Sequence, residues 1–228
     1  MFVDHGGVVL EQLEPVIGSP EDQAQVRRNP LLRADSALSF VVANADDLDT
    51  DTLLSARLNY CFVCLCFRRY DQALELAKTV LGTDFVGEQS DETSALVRLR
   101  RRNIATARMY AAEASCRLGE MRDAMSFLVG QGQDDAYEQL ASHLSGVTFE
   151  MASTNESGKR RLAKAHEMVL SSACAISAAV GNLTYAKQLA RRADSMDSTR
   201  SYARRALIYS LLREEKQWQA LDMLLSLQ

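Results

Sequence analysis

Proline is nearly missing from this chain: there are three, Pro15, Pro20 and Pro30, and none in the 198 residues that follow. An interior proline costs a helix about 3 kcal/mol, so this distribution leaves the long remainder free to be helical. Histidine is also sparse. His5, His143 and His166 are scattered, which excludes a sequence-local catalytic pair. Neither sign of charge dominates, with 26 basic residues against 30 acidic and a net charge of -4, so no global field draws nucleic acid or an anionic membrane. No apolar run approaches the roughly 18 residues of a membrane span, and no charged leader precedes an apolar stretch. These absences predict a cytoplasmic or nuclear protein. The five cysteines, an odd number without a secretory signal, fit reduced thiols.

Alanine and leucine, both strong helix formers, are abundant at 30 each. One phrase recurs four times: a run of small and apolar residues, a polar turn, then an alanine in a second amphipathic run. The post-turn alanines are Ala73, Ala124, Ala186 and Ala220, spaced by 51, 62 and 34 residues. The last step is the period of the tetratricopeptide repeat, and the longer ones read as that unit plus insertions. The expected fold is therefore an all-α tetratricopeptide (TPR) helical-repeat solenoid of antiparallel helix pairs, occupying residues 51–228 with insertions at about 83–94 and 130–158. Residues 1–50 form an N-terminal segment with one or two helices packed on the array. A short helix is predicted at Val8 to Leu13, and another over 31–45 with Leu31, Leu38 and Val42 on one face; Thr50 or Asp51 would cap the next. Predicted pairs lie at about 52–68 and 70–81, 95–118 and 120–129, 160–180 and 183–195, and 198–213 and 216–227. A further short helix is expected around Ala136 to Leu144, within an insertion with loose rims. Cys61, Ala112 and Cys174 hold equivalent places in the first helix of a pair, where small side chains let its partner approach.

Several features resemble chemistry without carrying it. Cys61, Cys64 and Cys66 have apolar spacers inside a helix, and helical geometry turns Cys66 away from the other two, so packing is the reading rather than a metal site. Ser157-Gly158-Lys159 lacks the first glycine of a phosphate loop and follows no strand. Asn155-Glu156-Ser157 and Asn182-Leu183-Thr184 match the glycosylation pattern, which means little without secretion. No acid, base, nucleophile or metal set converges, so neither an enzyme nor a cofactor is expected. The runs Arg98 to Arg102, Lys159 to Arg161, and Arg191-Arg192 with Arg200, Arg204 and Arg205 read as solvated helix faces. The alternative is a basic edge for an acidic partner or RNA, although no aromatics interleave to stack bases.

Recognition is expected on the first-helix face. The lysine and asparagine clamp of chaperone-binding arrays is absent there: the matching positions hold Leu58 and Phe62, Met109 and Glu113, Ser171 and Ala175, Arg205 and Tyr209. Phe62, Leu65, Met109, Tyr202 and Tyr209, with Arg205 among them, suit an apolar helix or loop better than a charged tail, unless some of them serve as core between repeats.

Leu58-Asn59 followed by Ala73-Leu74, Ala77-Lys78 and Leu81, then Tyr110-Ala111-Ala112-Glu113-Ala114 with Leu118 and Asp123-Ala124, then Gly181-Asn182 with Ala186, together resemble the tetratricopeptide subunit-ten family of the CCR-NOT deadenylase complex. The likeness spans roughly residues 52–228, and the first 50 residues depart from it. It implies a non-catalytic scaffold in mRNA deadenylation and turnover. The implied partners are other CCR-NOT subunits: subunit eleven and the N-terminal region of the large scaffold subunit. A peptide-binding adaptor of another complex, or an RNA-contacting module acting through the arginine clusters, are the rival expectations.

Overall fold

The computed structural model describes residues 29–45, 48–83, 95–129, 136–196 and 201–225. The helix expected at Val8 to Leu13 and most of the first insertion lie outside these residues. Eleven helices and no strand occur among the described residues. They are α1 (Pro30–Ala43), α2 (Thr50–Cys66), α3 (Tyr70–Leu81), α4 (Ala95–Leu118), α5 (Met121–Val129), α6 (Ala136–Ser145), α7 (Phe149–Thr154), α8 (Glu156–Val180), α9 (Leu183–Met196), α10 (Ser201–Arg213) and α11 (Gln217–Leu225).

Proline opens α1 in the first turn, the one place where its missing N–H costs nothing, and Asn29 caps it by accepting from Leu31. Ala34, Leu38 and Val42 pack α1 onto the core of α2 and α3, whereas Leu31 is exposed. The cap of α2 is Asp49, whose carboxylate accepts from Thr52 N at 3.0 Å, rather than Thr50 or Asp51. Asp51, one turn in, is used instead to bind Arg100 on α4.

Four helix pairs, α2–α3, α4–α5, α8–α9 and α10–α11, turn in the same way. Each first helix ends one or two residues before a left-handed residue: Arg68 (φ 60°), Gly119 (86°), Gly181 (94°) and Glu215 (61°). The next N–H then donates back to the carbonyl five residues earlier, from Arg69 to Cys64, Glu120 to Ser115, Asn182 to Ser177 and Lys216 to Leu211, at 2.8 to 3.0 Å. This is the Schellman arrangement, which satisfies carbonyls that the helix end would orphan. Five residues beyond each left-handed position stands Ala73, Ala124, Ala186 or Ala220, all fully or almost fully buried. Twelve residues before each alanine stands Cys61, Ala112, Cys174 or Ile208, also buried. In the first pair these two positions touch, with the Cys61 thiol donating to the Ala73 carbonyl at 3.2 Å.

The stretch 136–158 differs from the expected loose insertion. Ala136, Tyr137, Leu140 and Ala141 of α6 are buried, and α6 lies between α4 and α8, packing on both. After α7, Asn155 caps α8 by accepting from Ser157 and Gly158, so α8 begins four residues earlier than the predicted 160. A side chain at Gly158 would press on Val147 at 3.3 Å, and its absence lets α8 enter beside the α6–α7 turn. The first helices thus follow the order α2, α4, α6, α8, α10, each packed on the next. The largest core cluster joins α4, α5, α6, α8 and α9. The α2–α3–α4 core and the small α10–α11 core flank it.

Candidate partner-binding face

One register of the first helices remains open along the molecule. Phe62, Glu113, Ala175 and Tyr209 occupy the same place relative to their turns, and all four are exposed. The preceding turn of each helix presents Leu58, Met109, Ser171 and Arg205; two of these, Leu58 and Ser171, are buried and only Arg205 is exposed. Phe62, 47% exposed on α2, lies against Tyr110 of α4 with ring centroids 6.2 Å apart and a tilt of 35°. Beside this aromatic step, Glu113 binds Arg117 one turn along α4 at 2.8 Å.

The structure divides the residues expected to bind a partner. Phe62 forms an open apolar step with Tyr110. Leu65 and Met109 are half-buried against the α2–α3–α4 core and the large central core respectively, and contribute chiefly to packing. Arg205 and Tyr209 are exposed on α10, separated from α4 by α6 and α8 in the packing order. Tyr202 belongs to α10, and its side chain lies outside the described ones. Of the six positions, the ones described as exposed therefore lie on two helices that are not neighbours in the packing order, Phe62 on α2 and Arg205 and Tyr209 on α10. The intervening α6 divides them, and no repeated phrase in the sequence announces it.

Three residues of the basic clusters, Arg100, Arg192 and Arg204, are latches between helices, and basic residues outside the clusters act in the same way. Arg100 binds Asp51 through two bonds of 2.8 and 2.9 Å, joining α4 to α2. Arg192 of α9 pairs with Glu138 of α6, and Arg204 of α10 pairs with Asp194 of α9 at 3.1 Å. Lys187 of α9 holds Glu214 in the α10–α11 turn, and Arg69 holds Asp35 of α1 while its guanidinium lies over the Tyr60 and Phe67 rings. Arg108 caps the end of α5 by donating to the Phe127 and Leu128 carbonyls at 2.7 and 3.1 Å. These partners stand between 10 and 54 residues apart in sequence and on different elements, so local charge runs could not reveal them.

The reactive-looking groups are held inert. Cys61 and Cys64 are buried and Cys66 is exposed, the division predicted from helical geometry. Burial, with a smaller contribution from Cys64, pushes the Cys61 thiol up to about 12, and burial raises Cys116 to about 11, so neither is a ready thiolate at neutral pH. Ser157 and Gly158 donate to their own capping Asn155, and Asn182 likewise accepts from Tyr185 N. Among the described residues, no three histidine, cysteine or acidic side chains gather as metal ligands, and no helix is long and apolar enough to cross a membrane.

One arrangement had no signal in the sequence. Glu167 of α8 is fully buried, at a register position that holds Leu54 in α2 and Ala105 in α4. One carboxylate oxygen accepts from Ser171 at 3.0 Å and the other has no partner. Its neighbour His166 is also buried, with Nε2 unpartnered; burial first, then the Arg192 charge, depress its basicity against a weaker opposing effect of Glu138. Polar, ionisable side chains at core positions break the amphipathic pattern from which a core is read.

The chain matches no protein-family model, no curated protein and no solved structure.

Proposed function

We propose that this all-helical chain is a non-catalytic assembly scaffold of the tetratricopeptide class. Its helix pairs would repeat one unit, and its exposed first-helix register would serve partner recognition. The observation that supports this most directly is the fourfold coincidence of left-handed residue, back-bonded turn and buried alanine in one register. A repeated unit that cannot bury its own apolar face, stacked upon its neighbours, is the physical meaning of a helical-repeat array, and such arrays chiefly present extended surfaces to other proteins.

Within that class, we read the chain as a subunit-ten-like component of the CCR-NOT deadenylase complex, supporting mRNA deadenylation and turnover through contacts with subunit eleven and the N-terminal region of the large scaffold subunit. The phrase Tyr110 to Ala114 carries this reading. Three of its alanines are buried, and Tyr110 joins the Phe62 step. Affinity purification of the tagged chain followed by mass spectrometry tests it: deadenylase subunits should co-purify, and their complete absence would sink this assignment while leaving the scaffold class standing.

The exposed Phe62–Tyr110 step favours one second reading, an adaptor for an apolar peptide of another complex. Recovery of a different, stoichiometric set of partners that is lost with Phe62→Ala would support it. The RNA-contacting alternative is weakened because Arg100, Arg192 and Arg204 already hold acidic partners.

A further inference from the structure

The helix α6 is wedged between α4 and α8, and each of these two interfaces holds a histidine. On the α4 side stands its own His143, half-buried, and the charges that face it among the described residues are Arg101 and Arg108 of α4. Arg108 cannot swing aside, because the Phe127 and Leu128 carbonyls at the end of α5 hold its guanidinium. Arg161 of α8 reaches the same end of α6, donating to the Ser145 carbonyl at 2.5 Å. These neighbours are all cationic. On the α8 side His166 is 4% exposed and its Nε2 has no partner. Arg192 of α9 and Glu138 of α6 are the charges that face it among the described residues, and they are paired with each other. Each side of α6 therefore sets an imidazole beside an arginine that other bonds keep in place.

Protonation acts on the two sides in the same sense. A charged His143 meets cations, and a charged His166 competes with Arg192 for the one carboxylate of Glu138. Burial depresses the basicity of both histidines, and the arginines add to it. A base that is weaker in the closed state than in water favours opening once pH falls below its free value, 6.5 for histidine. One movement, the departure of α6, gives both imidazoles access to water. That helix also has less to retain it than a repeat helix, since the six-residue α7 follows it in place of a full second helix.

We propose that α6 is an acid-sensitive wedge, released from between α4 and α8 when His143 and His166 take up protons. With α6 withdrawn, the contact of α5 with α8 is the substantial packing that still joins α1–α5 to α8–α11. That contact becomes a hinge, and the spacing between Phe62 on α2 and Tyr209 on α10 changes with pH. The bearing of this on partners rests on the reading proposed above; the release of α6 does not.

Hydrogen exchange of the full chain, read by mass spectrometry and corrected for the intrinsic rate at each pH, tests the wedge without any partner. At pH 5.5, one unit below the free value, each histidine favours opening by up to about tenfold, so the protection of α6 should fall by up to about a hundredfold from that at pH 7.5. Peptides of α3 should keep theirs. His143→Gln with His166→Gln should abolish the fall, since glutamine stays neutral. In the parent chain the His143 and His166 imidazole resonances should titrate over the pH range in which α6 loses protection, a check that does not depend on the variant folding. A fall shared equally by α3, a fall that persists in the double variant, or imidazoles that become charged while α6 stays protected would each overturn the proposal.

Discussion

Glu215 and Gly181 occupy the same turn position in two hairpins, at φ 61° and 94°, yet only one is glycine. This equivalence predicts substitutions of opposite sign. A side chain in the left-handed region costs about 1–2 kcal/mol, while glycine costs about 0.4–1 kcal/mol through the greater freedom of the unfolded chain. Glu215 is exposed and no hydrogen bond or ion pair is seen for its side chain, so Glu215→Gly should relieve strain and stabilise the protein by about 0.5–1 kcal/mol. Gly181→Ala should destabilise by a similar amount. An added Cβ there meets nothing within 4 Å, so the whole penalty is backbone strain. Urea unfolding followed by circular dichroism measures both, and in a chain of this size the melting temperature should move by about 2–4 °C per kcal/mol. Gln219→Gly, two residues into exposed α11 from its cap-side turn, should lose about 1 kcal/mol and exclude a general benefit of glycine near that end. Loss of stability in Glu215→Gly, or none in Gly181→Ala, would refute the shared turn geometry.

Ala186→Phe should lower stability by about 1–3 kcal/mol or more, since Ala186 is fully buried where α9 meets α8; a melt like that of the parent would count against the register. Glu167→Met removes a buried carboxylate oxygen without a partner but also the acceptor of the Ser171 hydroxyl, so Glu167→Met with Ser171→Ala should stabilise the protein by about 1–3 kcal/mol, read as a higher urea midpoint. His143 and His166 both have basicity lowered chiefly by burial. Their stabilising contribution is present above the unfolded value of 6.5 and is lost as pH falls below it, so a His143→Gln/His166→Gln variant should show a flatter decline on acidification. The Cys61 thiol runs the other way. With its folded value raised from 9.0 to about 12, stability holds below pH 9 and falls as pH rises through that window, and Cys61→Ala should lessen the alkaline loss.

The hairpins were legible because one physical requirement, a small side chain where two helices touch, recurs at a fixed distance from each turn. Alanine spacing located even the turns at Arg68 and Glu215, which a search for glycine alone would have passed over. The helix α6 was only half legible. Its short pattern suggested a helix, but nothing local indicated that Tyr137 and Leu140 would fill the space between α4 and α8. Asn155 did carry a readable cap signal for α8, obscured by the glycosylation pattern that the same residues spell. The same packing sets α6 and α8 between the α2 and α10 ends of the candidate partner face, which the expected residues alone did not indicate. The ion pairs Arg100–Asp51 and Arg192–Glu138 bind residues 49 and 54 positions apart, and only the folded arrangement creates them.

The long helix α8 packs against α5, α6, α7, α9 and α10. An array in which each unit touches only its neighbours can unzip from either end, step by step. A strut that grips five helices ties those steps into one cooperative block. Amide hydrogens at the middle of α8 should then exchange only when the whole centre opens, while α1 at one end and α10–α11 at the other fray independently. Partners drawn to the two exposed areas would engage opposite margins of this block, and each could order its own margin without disturbing the other.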